Sequence, residues 1–348
     1  MEFIKQLFRI ESNPKRGLTL VEWVVMAYLL FTLAMTVIMR HRVPNPDSMI
    51  QLRLSVAVTT AALWTAYRLI PCRFMMMVRI GAQMAFLAMW YPDTFELNRT
   101  FQNLDHVFAA WEQQWFNCQP ALLFSQKLPS PVISELLDLG YAAYYPMIAA
   151  VTVYFFAWRY KDFERATFII MASFFIYYLI FIFVPVVGPT YYYCAAGLQN
   201  ITSATFPPMN DYFNYHQECL PSPGYSDGLF YHLVEQAKEA GERPTAAFPS
   251  SHVGISTVLM WLLVKARNYK LLLWLLPLYV LLCLATVYIQ AHYLVDAIFG
   301  LISGTLFFLR DFVFMGFSGK THEDKVTQEV SSSSYHTDFH SFLHHSGS

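Results

Sequence analysis

The sequence is poor in charged residues, and this shortage excludes several classes of protein. Only 14% of the 348 residues are charged and 56% are hydrophobic, whereas soluble domains carry about 25% charged residues. The long apolar runs lack the charged face of a soluble amphipathic helix, which argues against a large soluble helical protein. The net charge of −1 gives no indication of a nucleic-acid partner.

Metal-binding cysteine motifs are absent as well. The five cysteines show no C-x-x-C spacing, so the sequence indicates neither a zinc knuckle nor a dithiol redox motif. Cys194 and Cys219 fall in one long loop, where they either form a disulfide or remain two free thiols. The histidines near the C-terminus lack regular ligand spacing, so we favour a polar tail over a metal site there.

Long hydrophobic runs are what the sequence has in excess. A transmembrane helix needs about 20 predominantly apolar residues, and runs of this kind recur along most of the chain. Because lipid cannot satisfy the backbone of an isolated strand, we expect these runs to be helices. We predict eight spans, at residues 18–39, 53–71, 73–91, 140–158, 167–187, 248–265, 271–290 and 293–315. The fold class is therefore predicted as an all-α integral membrane protein, a bundle of about six to eight transmembrane helices.

The distribution of Lys and Arg predicts how this bundle is oriented. With a cytoplasmic N-terminus, sixteen of these cations lie at or near the inner face and seven lie outside, as the positive-inside rule requires. Residues 18–39 are then a retained anchor, because no small-residue cleavage site follows them. Both termini are expected in the cytoplasm.

Composition divides the chain into three parts. Residues 1–91 hold the N-terminal transmembrane helices, and residues 92–318 form a second membrane part. The second part includes an outer interfacial segment at residues 92–139, whose aromatic residues suit the membrane interface, and an irregular outer loop at residues 188–247. Residues 319–348 are polar and aperiodic, which predicts a disordered cytoplasmic tail.

A first polar cluster stands where the outer loop meets the sixth predicted span. It reads Pro249-Ser250-Ser251-His252. Proline suits the first helical turn and serine suits a cap, and the free N–H groups of a helix start form an anion site. We therefore predict that Ser250 and Ser251 lie at a bound anion, with His252 facing the same anion from the first turn.

A second cluster opens the last predicted span with His292 and Asp296. Residues four apart share one helix face, so Asp296 is expected to accept a hydrogen bond from one ring nitrogen of His292. The other nitrogen is then a held nucleophile. Each cluster alone has a simpler explanation, an interfacial histidine or a structural ion pair. Their joint occurrence about 40 residues apart, on one predicted outer side, favours a catalytic site.

These motifs resemble a known family. Pro249-Ser250-Ser251-His252 resembles the P-S-G-H motif of the type 2 phosphatidic acid phosphatase superfamily, and His292-x-x-x-Asp296 resembles the end of its S-R-x5-H-x3-D motif. Stretches at residues 115–120, 141–146 and 185–190 resemble the branch that contains fungal inositol phosphorylceramide synthase and its bacterial relatives. The resemblance covers roughly residues 105–315 and implies a six-helix, phosphatase-type catalytic core within residues 92–318.

The resemblance also implies roles for individual residues. His292 would attack phosphorus and form a phosphohistidine, Asp296 would orient His292, and His252 would act as general acid and base. No metal and no cofactor are implied. The expected partners are lipid substrates in the membrane, with no obligate protein partner. The residues placed at the bound substrate are Ser250, Ser251, Gly188, Pro189 and Tyr191.

Departures from the family pattern bear on the substrate. Ala285 and Thr286 stand where the family has Ser and Arg, Ser251 stands where it has Gly, and its K-x6-R-P motif has no counterpart. A phosphomonoester carries two charges and needs several cationic donors, whereas a diester carries one. The missing cations therefore favour a lipid phosphotransferase that moves a phosphorylated headgroup, such as phosphoinositol, between lipids.

Three alternatives remain open at this point. The same residues would serve a lipid phosphate phosphatase that uses water as the acceptor. His252, His292 and Asp296 could instead be the ligands of a metal-dependent membrane hydrolase. A transporter or non-enzymatic lipid scaffold would place charges mid-span along a path, whereas the polar motifs noted above cluster at one outer face.

Overall fold

The structure, a computed structural model, describes residues 2–241 and 243–310. Within these residues the chain forms helices and no strands, with one isolated β-bridge between Ile10 and Cys72. The predicted all-α fold class is confirmed. The predicted tail, residues 319–348, lies outside the described residues.

The N-terminal helices follow the predicted spans with shifted ends. Helix α2 (Leu20–Ile38) begins at a capping box, in which the Thr19 hydroxyl accepts from Glu22 N and the Glu22 carboxylate accepts from Thr19 N. The helices of this part are α1 (Glu2–Phe8), α2 (Leu20–Ile38), α3 (Pro46–Leu69), α4 (Arg73–Ala85) and α5 (Leu87–Asn98). Helix α5 thus continues beyond residue 91, the predicted end of the first part.

The middle of the chain alternates short and long helices. Proline occupies the first turn of α7 (Pro120–Lys127) and of α8 (Pro131–Ala142), where its missing N–H costs no hydrogen bond. These helices are α6 (Asp105–Phe116), α7 (Pro120–Lys127), α8 (Pro131–Ala142), α9 (Tyr144–Trp158) and α10 (Tyr160–Phe183).

The outer loop predicted as irregular at residues 188–247 contains three helices and a 3-10 turn, so that prediction was wrong in detail. Helix α13 (Leu229–Gly241) is amphipathic and packs against α8, and this burial stabilises a helix that composition alone did not indicate. The remaining elements are α11 (Pro189–Ala196), α12 (Leu198–Thr202), the turn Tyr212–Asn214, α13 (Leu229–Gly241), α14 (Ser251–Lys265), α15 (Tyr269–Tyr288) and α16 (residues 294–310).

Several helices are long and apolar enough to cross a membrane. Among the described residues these are α2, α3, the run Arg73–Asn98, α10 and α15, and a sixth results if α8 and α9, bent by 45° at their junction, count as one span. Helix α14 is apolar but shorter, with 15 residues. The helices are consistent with a multi-pass membrane protein, whereas the side on which each end lies stays a prediction.

Two buried ion pairs fasten the N-terminal helices together. The Arg79 guanidinium lies 2.5 Å from the Glu22 carboxylate, and both side chains are 0% exposed. Arg53 contacts both oxygens of Asp93 at 2.6 and 2.7 Å. These pairs join α2 to α4 and α3 to α5. Charged groups therefore also lie inside candidate spans and away from the histidine motifs, and each of these four charges has an opposite partner.

Helix α10 connects these N-terminal helices to the rest of the bundle. On one side, Phe175 stacks on Tyr28 of α2 at 4.4 Å between ring centroids. On another side, the Tyr177 hydroxyl lies 2.8 Å from the Ser303 hydroxyl of α16. Helix α16 in turn crosses α14 at Gly300, where a Cβ atom would lie 2.5 Å from the Ser250 carbonyl oxygen. The starts of α14 and α16 are thereby held side by side.

Breaking the buried pair between Arg79 and Glu22 should destabilise the protein. Arg79→Ala leaves the Glu22 carboxylate buried without its partner, which costs about 3–5 kcal/mol in the free energy of unfolding. Thermal unfolding of the purified protein in detergent measures this loss. The matched control is Arg40→Ala, because Arg40 pairs with Asp47 in solvent, with side chains 57% and 83% exposed, and should change the melting temperature little. Equal melting temperatures for the two variants would contradict the assignment.

Candidate active site

The start of α14 is built by the first polar motif. Ser250 is the N-cap residue, and its hydroxyl accepts a hydrogen bond from Val253 N. Its own N–H donates to the Asp296 carbonyl oxygen at 3.0 Å, so the cap also joins α14 to α16. Ser251 opens the helix and is almost completely buried. Anion binding by these two serines stays a prediction.

The two motif histidines lie next to each other. The distance from His252 Nδ1 to His292 Nε2 is 3.4 Å, and the ring centroids are 5.6 Å apart. The rings of Tyr141 and Tyr144 pack on His252 with centroids at 4.8 and 4.4 Å. These tyrosines flank the bend between α8 and α9, so this bend positions the aromatic walls of His252.

The ring of His292 is oriented by a backbone carbonyl. His292 Nδ1 lies 2.8 Å from the Ala247 oxygen, and since a carbonyl oxygen only accepts, Nδ1 carries the proton. In the neutral ring, Nε2 then keeps its lone pair and faces His252.

The hydrogen bond predicted from His292 to Asp296 is not the one observed. Asp296 Oδ2 lies 3.7 Å from His292 Nδ1 and accepts instead from Tyr293 N at 2.8 Å. The reason is that α16 begins at residue 294, after His292, so the four-residue spacing does not place both side chains on one helix. Asp296 caps the start of α16 and lies near His292 without bonding to it.

The segment with Gly188 and Pro189 lies against the backbone that carries His292. Gly188 has a φ of +90°, and a Cβ atom there would lie 2.6 Å from the Ala291 carbonyl oxygen. Thr190 N donates to the Gln290 carbonyl oxygen at 2.9 Å. Pro189 occupies the first turn of α11, on which Tyr191 is buried. The structure thus brings Gly188 and Pro189 to the site backbone, while contact of either residue or of Tyr191 with a substrate stays a prediction.

A comparison with protein-family models assigns the chain. The model described as the PAP2 superfamily matches residues 106–309, which is more than half of the chain and includes both histidines. The chain belongs to the PAP2 superfamily. Members of this superfamily are phosphatases or phosphotransferases. Comparisons with curated proteins and with solved structures gave no match.

The position where the PAP2 motif carries arginine is occupied by a neutral residue in α15. Thr286 is completely buried, and its hydroxyl donates to the Cys283 carbonyl oxygen. Its own carbonyl oxygen accepts from His292 N at 2.9 Å. Thr286 therefore contacts the backbone of His292, and this chain has a neutral side chain where the PAP2 motif has a cation. Ala285, beside it, is also completely buried.

Asp105 was missed by the sequence analysis, although it lies at the centre of the site's hydrogen bonds. It accepts from Val187 N at 2.7 Å, Gly188 N at 2.9 Å, the Asn103 amide at 2.7 Å and the Tyr293 hydroxyl at 3.0 Å. Burial raises the pKa of Asp105 to about 6, while these hydrogen bonds act in the opposite direction.

Glu112 is the second acid that the sequence analysis did not single out for the site. Its Oε1 accepts from Val295 N at 3.1 Å, and its side chain is 0% exposed. Burial raises the pKa of Glu112 to about 8, with a further upward contribution from the charge of Asp296. Asp105 and Glu112 are seven residues apart on α6, a spacing that places them on one helix face and could have indicated a buried pair.

Helix α6 therefore has a structural role in addition to the one predicted for it. It was expected to lie at the membrane interface within residues 92–139. Trp111 and Trp115 do remain 38% and 51% exposed, as an interfacial face would be. The face with Asp105 and Glu112 is buried against the site. Its two carboxyl groups accept from the N–H groups of Val187, Gly188 and Val295, which have no partner within a helix or strand and need one when buried.

Replacing Gly188 with alanine should impair phosphate-ester turnover. The new Cβ would displace the Ala291 carbonyl and with it His292, and a displacement of about 1 Å costs about 10²-fold in rate. Gly197→Ala is the matched control, because Gly197 also has a positive φ, +83°, but no atom within 4 Å of a Cβ. Turnover is measured in detergent with both variants folded. Equal rates for the two variants would contradict the proposed contact.

Proposed function

We propose that the protein is a membrane lipid phosphotransferase, which moves a phosphorylated headgroup from one lipid to another through a phosphohistidine on His292. The observation that carries the proposal is the histidine pair: His252 Nδ1 lies 3.4 Å from His292 Nε2, and Ala247 holds the opposite nitrogen of His292 at 2.8 Å. His292 thus presents the lone pair of its Nε2 beside the ring of His252, which can exchange a proton.

The first step follows from this arrangement. His292 Nε2 attacks the phosphorus of the donor lipid, the P–N bond forms and the P–O bond to the lipid alcohol breaks. His252 in its protonated form donates its proton to the leaving oxygen. The products are the free lipid alcohol and a headgroup phosphate carried on His292.

The second step reverses these roles on an acceptor lipid. Neutral His252 takes the proton of the acceptor hydroxyl as its oxygen attacks phosphorus. The P–N bond breaks, the new P–O bond forms, and His292 returns to the neutral ring with its proton on Nδ1. His252 is again protonated, so the cycle closes without a net change in protons.

Asp296 contributes charge in this proposal. Phosphorylation of Nε2 makes the His292 ring cationic while Nδ1 keeps its proton. The Asp296 carboxylate lies 3.7 Å from Nδ1 and stabilises that positive charge in a buried setting, where Coulomb interactions are strong. Its hydrogen bond from Tyr293 N holds it in place.

The charge around the site supports a diester donor. Ala285 and Thr286 are neutral where the motif of the superfamily has Ser and Arg, and both are buried. A diester brings one negative charge to the histidines, whereas a monoester brings two and calls for more cationic donors. Resemblance to the inositol phosphorylceramide synthase branch supports phosphoinositol as the headgroup and a sphingolipid as the acceptor. The positive-inside distribution places the site on the outer or lumenal side.

The metal-dependent alternative has less geometric support. His252 approaches Nε2 of His292, whereas Asp296 approaches Nδ1. One ion could contact only one nitrogen of the His292 ring, so these three side chains do not converge on a single ion. Within the described ranges, no group of three His, Cys, Asp or Glu residues is arranged to hold a metal.

Trapping of the covalent adduct tests the proposed nucleophile. Purified protein is incubated with a lipid diester labelled at phosphorus, quenched, and assayed for acid-labile, base-stable label. His292→Gln should abolish the label, and His252→Gln should slow its formation or turnover about 10²–10⁴-fold. His232→Gln is the matched control, because His232 is an exposed histidine of α13. Label that persists in His292→Gln would refute the assignment.

A second set of reactions separates transferase from phosphatase. Wild-type protein receives either a phosphoinositol lipid with ceramide as acceptor or a lipid phosphomonoester without acceptor. We expect a new phosphoinositol lipid from the first mixture and little inorganic phosphate from the second. Rapid release of inorganic phosphate without transfer to ceramide would establish the phosphatase alternative instead.

A further inference from the structure

Helix α6 presents two buried carboxyl groups to the backbone on both sides of the candidate site. Asp105 binds the segment that precedes α11 and the hydroxyl of Tyr293. Glu112 binds Val295 N. Tyr293 is the next residue after His292 and Val295 lies two residues further on, so both acids contact the segment that follows this histidine.

We infer that Asp105 and Glu112 are positioning residues for the phosphoryl transfer, Asp105 as a carboxylate and Glu112 as a neutral acid. The inference rests on the proposed function and extends it to a helix that carries neither motif. Neither acid is assigned a contact with the reacting phosphate. Both act through Tyr293 and Val295 on the position of His292 Nε2 relative to His252.

The number of donors around Asp105 requires a carboxylate. Its two oxygens accept from two backbone N–H groups, one amide and one hydroxyl. An ionised carboxyl group is an acceptor only and offers sites for all four donors. An asparagine at this position would offer one oxygen and turn an NH₂ group toward donors, which leaves buried polar groups unpaired.

The surroundings of Glu112 require a neutral acid. Glu112 Oε2 and Asp296 Oδ1 are both buried and have no hydrogen-bond partner among the described residues. The two carboxyl groups are close enough for the charge of Asp296 to act on Glu112. Two ionised carboxylates buried beside each other are strongly unfavourable, and one proton held by the pair removes the repulsion.

The neighbours decide which of the two acids holds that proton. Asp296 accepts from Tyr293 N and lies 3.7 Å from the protonated Nδ1 of His292, and both contacts favour its ionised form. Glu112 accepts from Val295 N, and the backbone N–H of Leu294 also favours its ionised form. Burial raises the pKa of both carboxyl groups, so the proton is assigned to Glu112 because Asp296 is the acid that lies beside the protonated Nδ1 of His292.

The titratable groups that face Glu112 come from two other elements. Asp296 lies on α16, and Tyr193 lies on α11, where Glu112 contributes to raising the tyrosine pKa. Asp105 lies two helical turns away on α6 itself, and His292 lies beyond Asp296. Ionisation of Glu112 would add a second negative charge beside Asp296, whereas the protonated form prevailing below about pH 8 avoids it.

The decisive experiment compares Glu112→Gln with Glu112→Ala in the transfer assay. Glutamine is the uncharged isostere of the proposed form, so Glu112→Gln should keep kcat within about threefold of wild type at pH 7. Glu112→Ala should lose about 10²-fold in kcat with KM nearly unchanged, because His292 is displaced while the lipid site remains. The fall in wild-type kcat above about pH 8 should be weaker in Glu112→Gln.

Asp105→Asn tests the other acid. It should lower kcat about 10²-fold, in contrast to the tolerated amide at position 112. Tyr293→Phe removes one of the four donors and should lower kcat by about threefold to tenfold, so it remains informative if Asp105→Asn does not fold. Glu164→Gln is the matched control: Glu164 also accepts from a backbone N–H, that of Leu20, far along the chain from the site, and its replacement should leave kcat unchanged.

The outcomes separate the inference from the function on which it rests. Wild-type protein without transfer and without acid-labile label would overturn the proposed function and this role with it. Wild-type transfer combined with equal kcat values for Glu112→Gln and Glu112→Ala would overturn the neutral-acid role alone. Wild-type kcat in both Asp105→Asn and Tyr293→Phe would likewise overturn the role of Asp105.

Discussion

One hydrogen bond, from Nδ1 of His292 to the carbonyl oxygen of Ala247, sets the chemistry of this site. It fixes the ring proton on one nitrogen and directs the lone pair of the other toward His252. The Ala247 carbonyl can orient the His292 ring only if the segment that contains Ala247 is itself fixed. Backbone hydrogen bonds fix this segment. Ala247 N donates to the Val186 oxygen, and Ser250 N donates to the Asp296 oxygen. The site is therefore a junction of three chain segments that are distant in sequence.

Buried charge is handled in two ways within the described bundle. In the N-terminal helices, Arg79 and Arg53 each meet an opposite charge, so neither leaves the uncompensated buried charge that is strongly destabilising. Around the candidate site, the acids meet backbone N–H groups instead, because the irregular segments before α11 and α16 have such groups to satisfy. The first arrangement joins helices to one another, and the second fixes the backbone on which the histidines depend.

The agreement between sequence and structure is uneven for physical reasons. The apolar runs predicted helices well, since a run of about 20 apolar residues has few other solutions in a membrane. The helix ends shifted, as with Pro46 and Asn98, because caps and packing decide them. The Asp296 partner was wrong because the spacing argument assumed a helix through His292, whereas α16 begins two residues later. Helix α13 was not predicted because its stability comes from packing on α8, which the local sequence does not show.

Hydropathy and the two histidine motifs are local properties of the chain, so they were enough to predict the all-α membrane fold and the histidines of the candidate site. The packing of the helices settled which groups these side chains meet. It assigned Ala247 as the partner of His292, brought Asp105 and Glu112 from a helix with no motif, and placed Asp296 as a cap. Ala247 and His292 are 45 positions apart, Glu112 and Val295 are 183 apart, and Asp105 and Tyr293 are 188 apart. No local pattern encodes which distant groups will meet when the helices pack.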